Sequence, residues 1–303
     1  MAQKIVATIG SFDGVHRGHL QLLGELLQLA KEFEGRSFVF TFDRLPAALL
    51  HPEEAPRLLT SLAEKCERLY AAGVDEVVVL PFSADLARMT SETFMRDILR
   101  SRYGVDVLLI GYDHVFGSDR LSSFDERVAI GRRLGIELRQ AQDIARSGEV
   151  VSSSRIRRAL AVPGGIEQAN QLLGYGYRLR GKVGRGQQIG RTIGFPTANI
   201  ILEDEGKLLP SSGVYAVRVY LEHEESSLGG MLYIGTRPTV DGLGQVVEVH
   251  LFDYCADLYD REIEVELLAY IRGESHFASL EALRQQLSLD EQHCRAHLDR
   301  LAD

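Results

Sequence analysis

Apolar and polar residues follow two different rhythms along this chain. In the first half, short β-branched runs alternate with segments in which leucines return every three or four positions. Lys4-Ile5-Val6-Ala7-Thr8-Ile9 reads as a buried strand. Leu20, Leu22, Leu23, Leu26, Leu27 and Ala30 then mark one face of a helix that Gly35 breaks. Ser37–Phe42, Glu76–Leu80 and Val105–Ile110 read as further strands, with a weaker one at Ile136–Arg139. Helical spacing recurs around 60–72, 91–102 and 123–134. Strands alternating with helices predict βαβ units and a parallel, doubly wound, Rossmann-like α/β domain. Ligands of such sheets bind beyond the carboxyl ends of the strands.

The rhythm changes after Pro163-Gly164-Gly165. Strand-like runs follow one another directly at Tyr177–Val183, Gly213–Leu221, Met231–Ile234, Val246–Phe252 and Ile263–Ile271, separated by glycine-rich or polar turns. This pattern suits an antiparallel barrel or sandwich, and the barrel is the expected form. Helical segments at Leu280–Leu287 and Asp290–Leu301 close the chain. The expected domains are 1–165 and 172–303, with no internal repeat.

Composition narrows the class. The 303 residues allow two cores, and 45% hydrophobic with 25% charged residues is ordinary for a globular protein. No stretch approaches the roughly 18 apolar residues of a membrane span, and no signal peptide is evident. Three dispersed cysteines, Cys66, Cys255 and Cys294, suit neither a disulfide framework nor a cysteine zinc site, so a cytoplasmic location is expected. A net charge of −9 argues against nucleic acid as a partner. Against that background Arg178, Arg180, Lys182, Arg185 and Arg191 form an acid-free run, read as a local phosphate site, with a solvated hairpin face as the alternative.

Candidate chemistry begins with Gly10-Ser11-Phe12-Asp13-Gly14-Val15-His16-Arg17-Gly18-His19, on the first strand-to-helix turn. Glycines let backbone approach a ligand closely, and the helix aims N–H groups and a positive dipole end into the turn. His16 and His19 add donors for phosphate oxygens; a helix start with two exposed histidines is the plainer reading. Gly111-Tyr112-Asp113-His114-Val115-Phe116-Gly117 follows the fourth strand and falls at the same sheet edge. Val151-Ser152-Ser153-Ser154-Arg155-Ile156-Arg157 opens a later helix, where the serines either cap the helix or bind phosphate. Together these segments suit attack of a phosphate on the α-phosphorus of ATP. Such chemistry needs charge neutralisation and in-line positioning. His16 and His19 would hold the developing charge, and Ser153, Ser154 and Arg157 the leaving pyrophosphate, with Mg²⁺ bridging phosphate oxygens.

A second constellation lies in Gly190-Arg191-Thr192-Ile193-Gly194-Phe195-Pro196-Thr197-Ala198-Asn199. No Walker-type P-loop occurs in the sequence. Thr197 and Asn199, two apart in an extended segment, face one side and offer neutral oxygens for Mg²⁺; a strand edge with a polar face is the alternative. Gly181-Lys182-Val183-Gly184-Arg185-Gly186 supplies a basic, flexible loop for ATP phosphates, and Gly190 a close approach. Glu248 and His250 share one face of Val246–Phe252, where a carboxylate could deprotonate an alcohol, although an exposed strand glutamate is common.

Gly-x-Phe-Asp-Gly-Val-His-x-Gly-His with the later Ser-Ser-Ser-x-Ile-Arg resembles the nucleotidyltransferase module of bacterial FAD synthetases. The Pro-Thr-Ala-Asn element, the strand Glu248 and Arg272-Gly273-Glu274-Ser275-His276-Phe277, in that order, resemble the riboflavin kinase module. The two resemblances cover nearly the whole chain and imply a bifunctional riboflavin kinase/FAD synthetase. They imply that riboflavin, FMN, FAD and ATP are its small-molecule ligands and that Mg²⁺ is its metal. By the same resemblance Gly10, Ser11, Phe12, Asp13, Gly18, Gly111 and Asp113 frame ATP in the first module, Glu248 serves as base in the second, Thr197 and Asn199 bind metal and nucleotide, and Phe116 and Arg272 lie at flavin sites. Leu45, His114, Leu121 and Tyr233 depart from the family pattern; an Asn is frequent at the position of Tyr233. A kinase without transferase activity, a transferase for another acceptor, and a non-catalytic flavin sensor are the competing readings. A monomer or weak homo-oligomer is expected, with no membrane partner.

Overall fold

The computed structural model describes residues 3–112, 116–119, 123–142, 151–185, 190, 193–224, 226–239 and 242–301. The chain forms two compact units, Met1–Ser153 and Ser154–Asp303. No helix among the described residues is long and apolar enough to cross a membrane.

In the first unit five parallel strands lie in the order β3-β2-β1-β4-β5. They are β1 (Ile5–Ile9), β2 (Arg36–Phe42), β3 (Glu76–Leu80), β4 (Val107–Ile110) and β5 (Glu137–Gln140). Alternate residues feed two cores, as a period of two requires. Ala7, Ile9, Phe38, Phe40, Leu108 and Ile110 meet one set of helical residues, among them Met95, Leu99 and Ile130. Val6, Val39, Val77, Val107 and Leu109 meet Leu23, Leu26 and Ala30 of α1 (Arg17–Glu32) and Leu69. Both faces are covered, which is why these strands read as continuous apolar runs. Chain direction across the sheet reverses at β1, between β2 and β4, and that switch point opens the cleft where a ligand belongs.

The short helices α2 (Pro46–Leu50) and α4 (Ala84–Arg88) are additional to the sequence expectation. α3 (Leu62–Ala71) is fixed by a capping box between Ser61 and Glu64. The segment expected near 91–102 is a helical turn, α5 (Ser91–Thr93), continuing as a π-helix over Phe94–Arg102. α6 (Phe124–Leu134) ends on Gly135 in the left-handed conformation.

α7 (Ser153–Leu160) starts on the last residue of the first unit, and its remainder, with α8 (Ile166–Leu173), opens the second. α8 has no counterpart in the sequence expectation. It is held to the strands beyond it: the Asn170 side chain donates to Leu267 O at 2.8 Å and accepts from Tyr177 N at 2.8 Å. Six antiparallel strands then close a barrel in the order β10-β7-β6-β11-β8-β9. They are β6 (Tyr177–Gly184), β7 (Ala198–Leu202), β8 (Gly213–Leu221), β9 (Leu228–Thr239), β10 (Gly242–Leu251) and β11 (Glu262–Arg272). The closing helix, expected over 280–287 and 290–301, runs unbroken as α9 (Leu280–Asp299), capped by Ser279. Nothing in Ser288-Leu289 breaks it, and Asp290 is wholly buried, accepting from Arg272 and Gln286.

The acid-free basic run is corrected by strand register. Arg178, Arg180 and Lys182 on β6 stand directly opposite Glu266, Glu264 and Glu262 on β11. Arg178 and Arg180 both bond to Glu264, and Lys182 lies 3.9 Å from Glu262. These cations are cross-strand partners on the barrel wall, so three of the five residues read as a phosphate site are already matched by acids.

Candidate functional sites

The turn after β1 is held in an unusual backbone shape. Phe12, Gly14 and Val15 all have positive φ, at 48°, 83° and 33°. For Phe and Val this is strained geometry, of a kind that persists where the surroundings enforce it and is concentrated at functional sites. The enforcing contacts are visible. Asp13 is buried and its carboxylate accepts from Leu59 N and Thr60 N, while Gly14 N donates to Thr60 Oγ1. Gly10 N donates to Phe40 O, and Thr41 Oγ1 donates to Ser11 O. Asp13 is therefore a brace beneath the turn, its carboxylate committed to the backbone at 59–60. Phe12 is likewise buried, with its ring 5.1 Å from that of His19.

His16 is the N-cap of α1: its Nδ1 accepts the His19 N–H at 3.3 Å. That assignment leaves Nε2 to carry the proton, so His16 offers one N–H donor. Burial lowers its pKa to about 4, opposed by its backbone hydrogen bond. The expected pair of similar imidazole donors is thus one buried, neutral ring stacked on one half-buried ring, His19, with centroids 3.6 Å apart. A Cβ on Gly18 would stand 3.3 Å from the His16 ring and 3.4 Å from Val151 O, so glycine keeps this corner open.

Ser153, the last residue of the first unit and the first of α7, donates through Oγ to Asp13 O at 2.9 Å within that unit. Ser154, exposed, and Arg157, half-buried, follow on that helix within the second unit. Gly111 is half-buried at the end of β4. Asp113, His114 and Leu121 lie outside the described residues. Phe116 lines an apolar cavity of about 700 Å³ with Phe42, Phe82, Leu86, Met89 and Phe94, and Ser11 at its edge. Phe42 and Phe82 meet edge to face at 5.2 Å. Departing Leu45 precedes Pro46, which lines the same cavity.

Lys65 was not singled out by its sequence setting. It is buried, and its ammonium donates to Ser11 O at 3.2 Å and Phe42 O at 2.7 Å. Burial lowers its pKa, partly offset by Asp13, Cys66 and Asp43. It ties the ends of β1 and β2 together at the mouth of the cleft. The only sequence signal was a lysine at a core-facing position of α3.

In the second unit Thr197, Asn199, Glu248 and His250 line one cavity of about 500 Å³. Strand pairing puts them together: Glu248 stands opposite Asn199 on one side and Tyr233 on the other. Thr197 Oγ1 lies 3.4 Å from Glu248 Oε2. His250 Nδ1 bonds to Pro196 O at 2.7 Å, fixing the Pro196–Thr197 backbone. Gly190 O accepts from Phe195 N at 2.8 Å, and a Cβ on Gly190 would overlap Phe195 O. Gly181 is likewise required by strand contact, since its Cβ would overlap Ile201 O. Gly186, Arg191 and Thr192 lie outside the described residues, and Lys182 points to Glu262.

A second cavity, about 520 Å³, shares Thr197 and Tyr259 with the first and is walled by Val183, Leu251, Tyr254 and Leu258. The Arg185 guanidinium lies over the Tyr259 ring at 5.1 Å. Tyr254 and Tyr259 line this cavity and were not singled out by the sequence reading. Arg272, expected at a flavin site, lines the first cavity, but its guanidinium is largely committed to Asp290 and Gly273 O. Oxygen donors from Thr197, Asn199 and Glu248 in one cavity are the set that Mg²⁺ prefers.

Residues 1–155 match the FAD synthetase family and residues 173–298 match the riboflavin kinase family. A protein of Escherichia coli (strain K12) named bifunctional riboflavin kinase/FMN adenylyltransferase is 41% identical over 286 residues, covering 94% of this chain and 90% of its own length. A Pseudomonas fluorescens protein of the same name is 40% identical, covering 96% and 92%. A solved structure described as a macrolide-efflux protein from Streptococcus pneumoniae has the same fold, with a TM-score of 0.85 and 30% identity over 97% of this chain and 94% of its own.

Proposed function

The chain belongs to the family of bifunctional riboflavin kinase/FMN adenylyltransferases, and from that premise we propose how its residues divide the two reactions. The riboflavin kinase unit transfers the γ-phosphate of ATP to riboflavin, giving FMN. The FAD synthetase unit joins FMN to AMP from a second ATP and releases pyrophosphate.

One observation carries the kinase assignment: the register that puts Glu248 opposite Asn199, with Thr197 at 3.4 Å, inside one cavity. Glu248 takes the proton of the riboflavin 5′-hydroxyl as that oxygen attacks the γ-phosphorus. Thr197 and Asn199 hold Mg²⁺ together with ATP phosphate oxygens; when bound, the ion neutralises charge on the transferring group. Because Thr197 and Tyr259 border both cavities, the phosphates lie near Thr197, with the adenine between Leu251, Tyr254 and Tyr259. The flavin occupies the other cavity, toward Tyr233, Arg272 and Phe277.

In the first unit the FMN phosphate attacks the α-phosphorus of ATP at the first turn of α1. His16 donates from Nε2 as a neutral ring, His19 adds a more exposed donor, and the helix N-terminus favours the anion. The flavin ring lies in the aromatic cavity of Phe42, Phe82, Phe94 and Phe116. A cytoplasmic location accords with three free thiols. Each chain carries both sites, so a monomer or weak homo-oligomer suffices.

A time course with riboflavin, ATP and Mg²⁺, resolving flavins chromatographically, tests the division of labour. FMN should rise first and then yield to FAD. FMN accumulating without FAD would overturn the assignment of the first unit, and no conversion at all would overturn both.

A further inference from the structure

The kinase cavity has a wall built from residues far apart in the chain, and one of them departs from the family pattern. Tyr233 lies in the middle of β9, paired with Val214 on one side and Glu248 on the other. Its hydroxyl donates to Glu274 Oε1 at 2.6 Å. Glu274 lies two residues beyond the end of β11, in the segment that supplies Ser275, His276 and Phe277 to the cavity. Both partners line that cavity, and Glu274 is exposed at its edge.

Two further observations show that this contact is built into the local structure. A Cβ on Gly235 would overlap Tyr233 Oη and Cζ and stand 2.5 Å from Glu274 Oε1. Glycine at 235 therefore makes the room in which phenol and carboxylate meet. Arg272, where the segment leaves the barrel, donates to the wholly buried Asp290 through Nε and Nη2, and to Gly273 O through Nη1 at 2.8 Å. The 273–277 segment is thus anchored at its root by Arg272 and farther along by Tyr233.

We propose that Tyr233 is a positioning residue for riboflavin: through Glu274 it holds the 273–277 segment, and with it Phe277, in the conformation that receives the flavin. The inference rests on the assignment of this cavity to the flavin. Holding a loop in its bound form removes an ordering cost from binding, so affinity for the molecule under the loop should depend on the contact. Affinity for ATP should not, because its phosphates and base are assigned to the Thr197 side.

Tyr233→Phe removes one hydroxyl and keeps the ring, so the barrel core is undisturbed. In steady-state assays of FMN formation it should raise the riboflavin KM about tenfold, the scale of one hydrogen bond to a charged partner. The kcat and the ATP KM should stay within about twofold of the unchanged protein, a split expected when only binding to one substrate is lost. Riboflavin binding, followed by quenching of flavin fluorescence, should weaken by the same factor and needs no turnover. Glu274→Ala should match Tyr233→Phe, the double variant should be no worse than either single one, and Glu274→Gln should recover part of the loss. Gly235→Ala should reproduce the defect by displacing the ring. FAD formation from supplied FMN in the first unit serves as the internal standard for folding and concentration.

An unchanged riboflavin KM in Tyr233→Phe, a rise in the ATP KM in its place, or losses that multiply in the double variant would each overturn the inference. Undiminished FMN formation in Glu248→Ala would instead overturn the site assignment on which it rests, so the two failures are distinguishable.

Discussion

The rings of His16 and His19 are stacked 3.6 Å apart with 12° between their planes, while His16 Nδ1 accepts the His19 N–H. One residue thus caps α1 through Nδ1 and keeps Nε2 as its N–H donor, and it does so as a neutral ring. In the unfolded chain His16 regains its ordinary pKa of 6.5, against about 4 when folded. Between those values the unfolded chain binds more protons, so this contribution is complete above pH 6.5 and is lost as pH falls toward 4. The shift corresponds to about 3 kcal/mol. Urea midpoints of the whole chain between pH 4.5 and 7.5 should show it. His16→Asn, which retains a capping oxygen, should have a shallower pH dependence. Equal slopes in the two proteins would sink the idea.

The two units should lose activity separately. His19→Ala removes the donor proposed for the α-phosphate and should lower FAD formation from FMN by about a hundredfold or more, the range for such donors. FMN formation should remain within about twofold of normal, because the kinase residues lie in a different unit. Glu248→Ala should do the reverse, with loss of the general base costing about a hundredfold or more. Separate assays starting from riboflavin and from FMN check both, and a single substitution that stops both reactions in a folded protein contradicts the assignment.

Asp290 should matter for stability as well as for the cavity. It is wholly buried and receives Arg272 and Gln286, so Asp290→Ala leaves the Arg272 guanidinium without its acid. Breaking a buried pair from one side costs about 3 kcal/mol or more, discounted somewhat because Arg272 is partly exposed. Asp290→Asn, which keeps an acceptor, should lose less. Chemical denaturation of both variants, read by the unfolding of the second unit, measures the difference.

What was legible in the sequence was local. Gly213–Leu221 and Glu76–Leu80 are strands with the bounds their residue patterns suggested, because each run is apolar and closed by turn residues. Thr197, Asn199, Glu248 and His250 were readable as two co-facing pairs, since alternation along a strand is a property of neighbours. Non-local relations were not legible. The acid-free run at Arg178–Arg191 looked like a phosphate site because its acids lie some eighty residues away, on β11, and only register reveals Glu262, Glu264 and Glu266 opposite it. α8 was missed for the same reason: Asn170 stabilises it through Leu267. The direction of the Asp13 carboxylate was not legible because motif membership does not say which way a side chain turns, and its partners Leu59 and Thr60 belong to another segment.

The aromatic cavity of the first unit depends on a loop with little room for change. Phe116 lines the cavity and Gly117 follows it with φ 85°. A Cβ on Gly117 would stand 2.5 Å from both the nitrogen and the hydroxyl of Ser91. That closeness has a purpose in the local bonding. Ser91 Oγ lies 2.8 Å from Phe116 O and 2.7 Å from Asp119 Oδ1, its one proton shared between these two acceptors, and Ser91 N donates to the same carboxylate at 3.0 Å. The loop is therefore clamped to the start of α5, and the clamp sets where Phe116 meets Phe94, at 5.8 Å. Gly117→Ala both strains the backbone and pushes the clamp apart, so Phe116 should leave its position. The expected result is an FMN KM raised about tenfold or more, the scale of lost packing for one large side chain, with riboflavin phosphorylation untouched. Ser91→Ala keeps the backbone but removes the hydroxyl that bridges Phe116 O and Asp119, and should give a smaller rise in the same direction. If Gly117→Ala leaves the FMN KM unchanged while Phe116→Ala raises it, the cavity reading stands and the clamp does not matter; if neither changes it, FMN binds elsewhere.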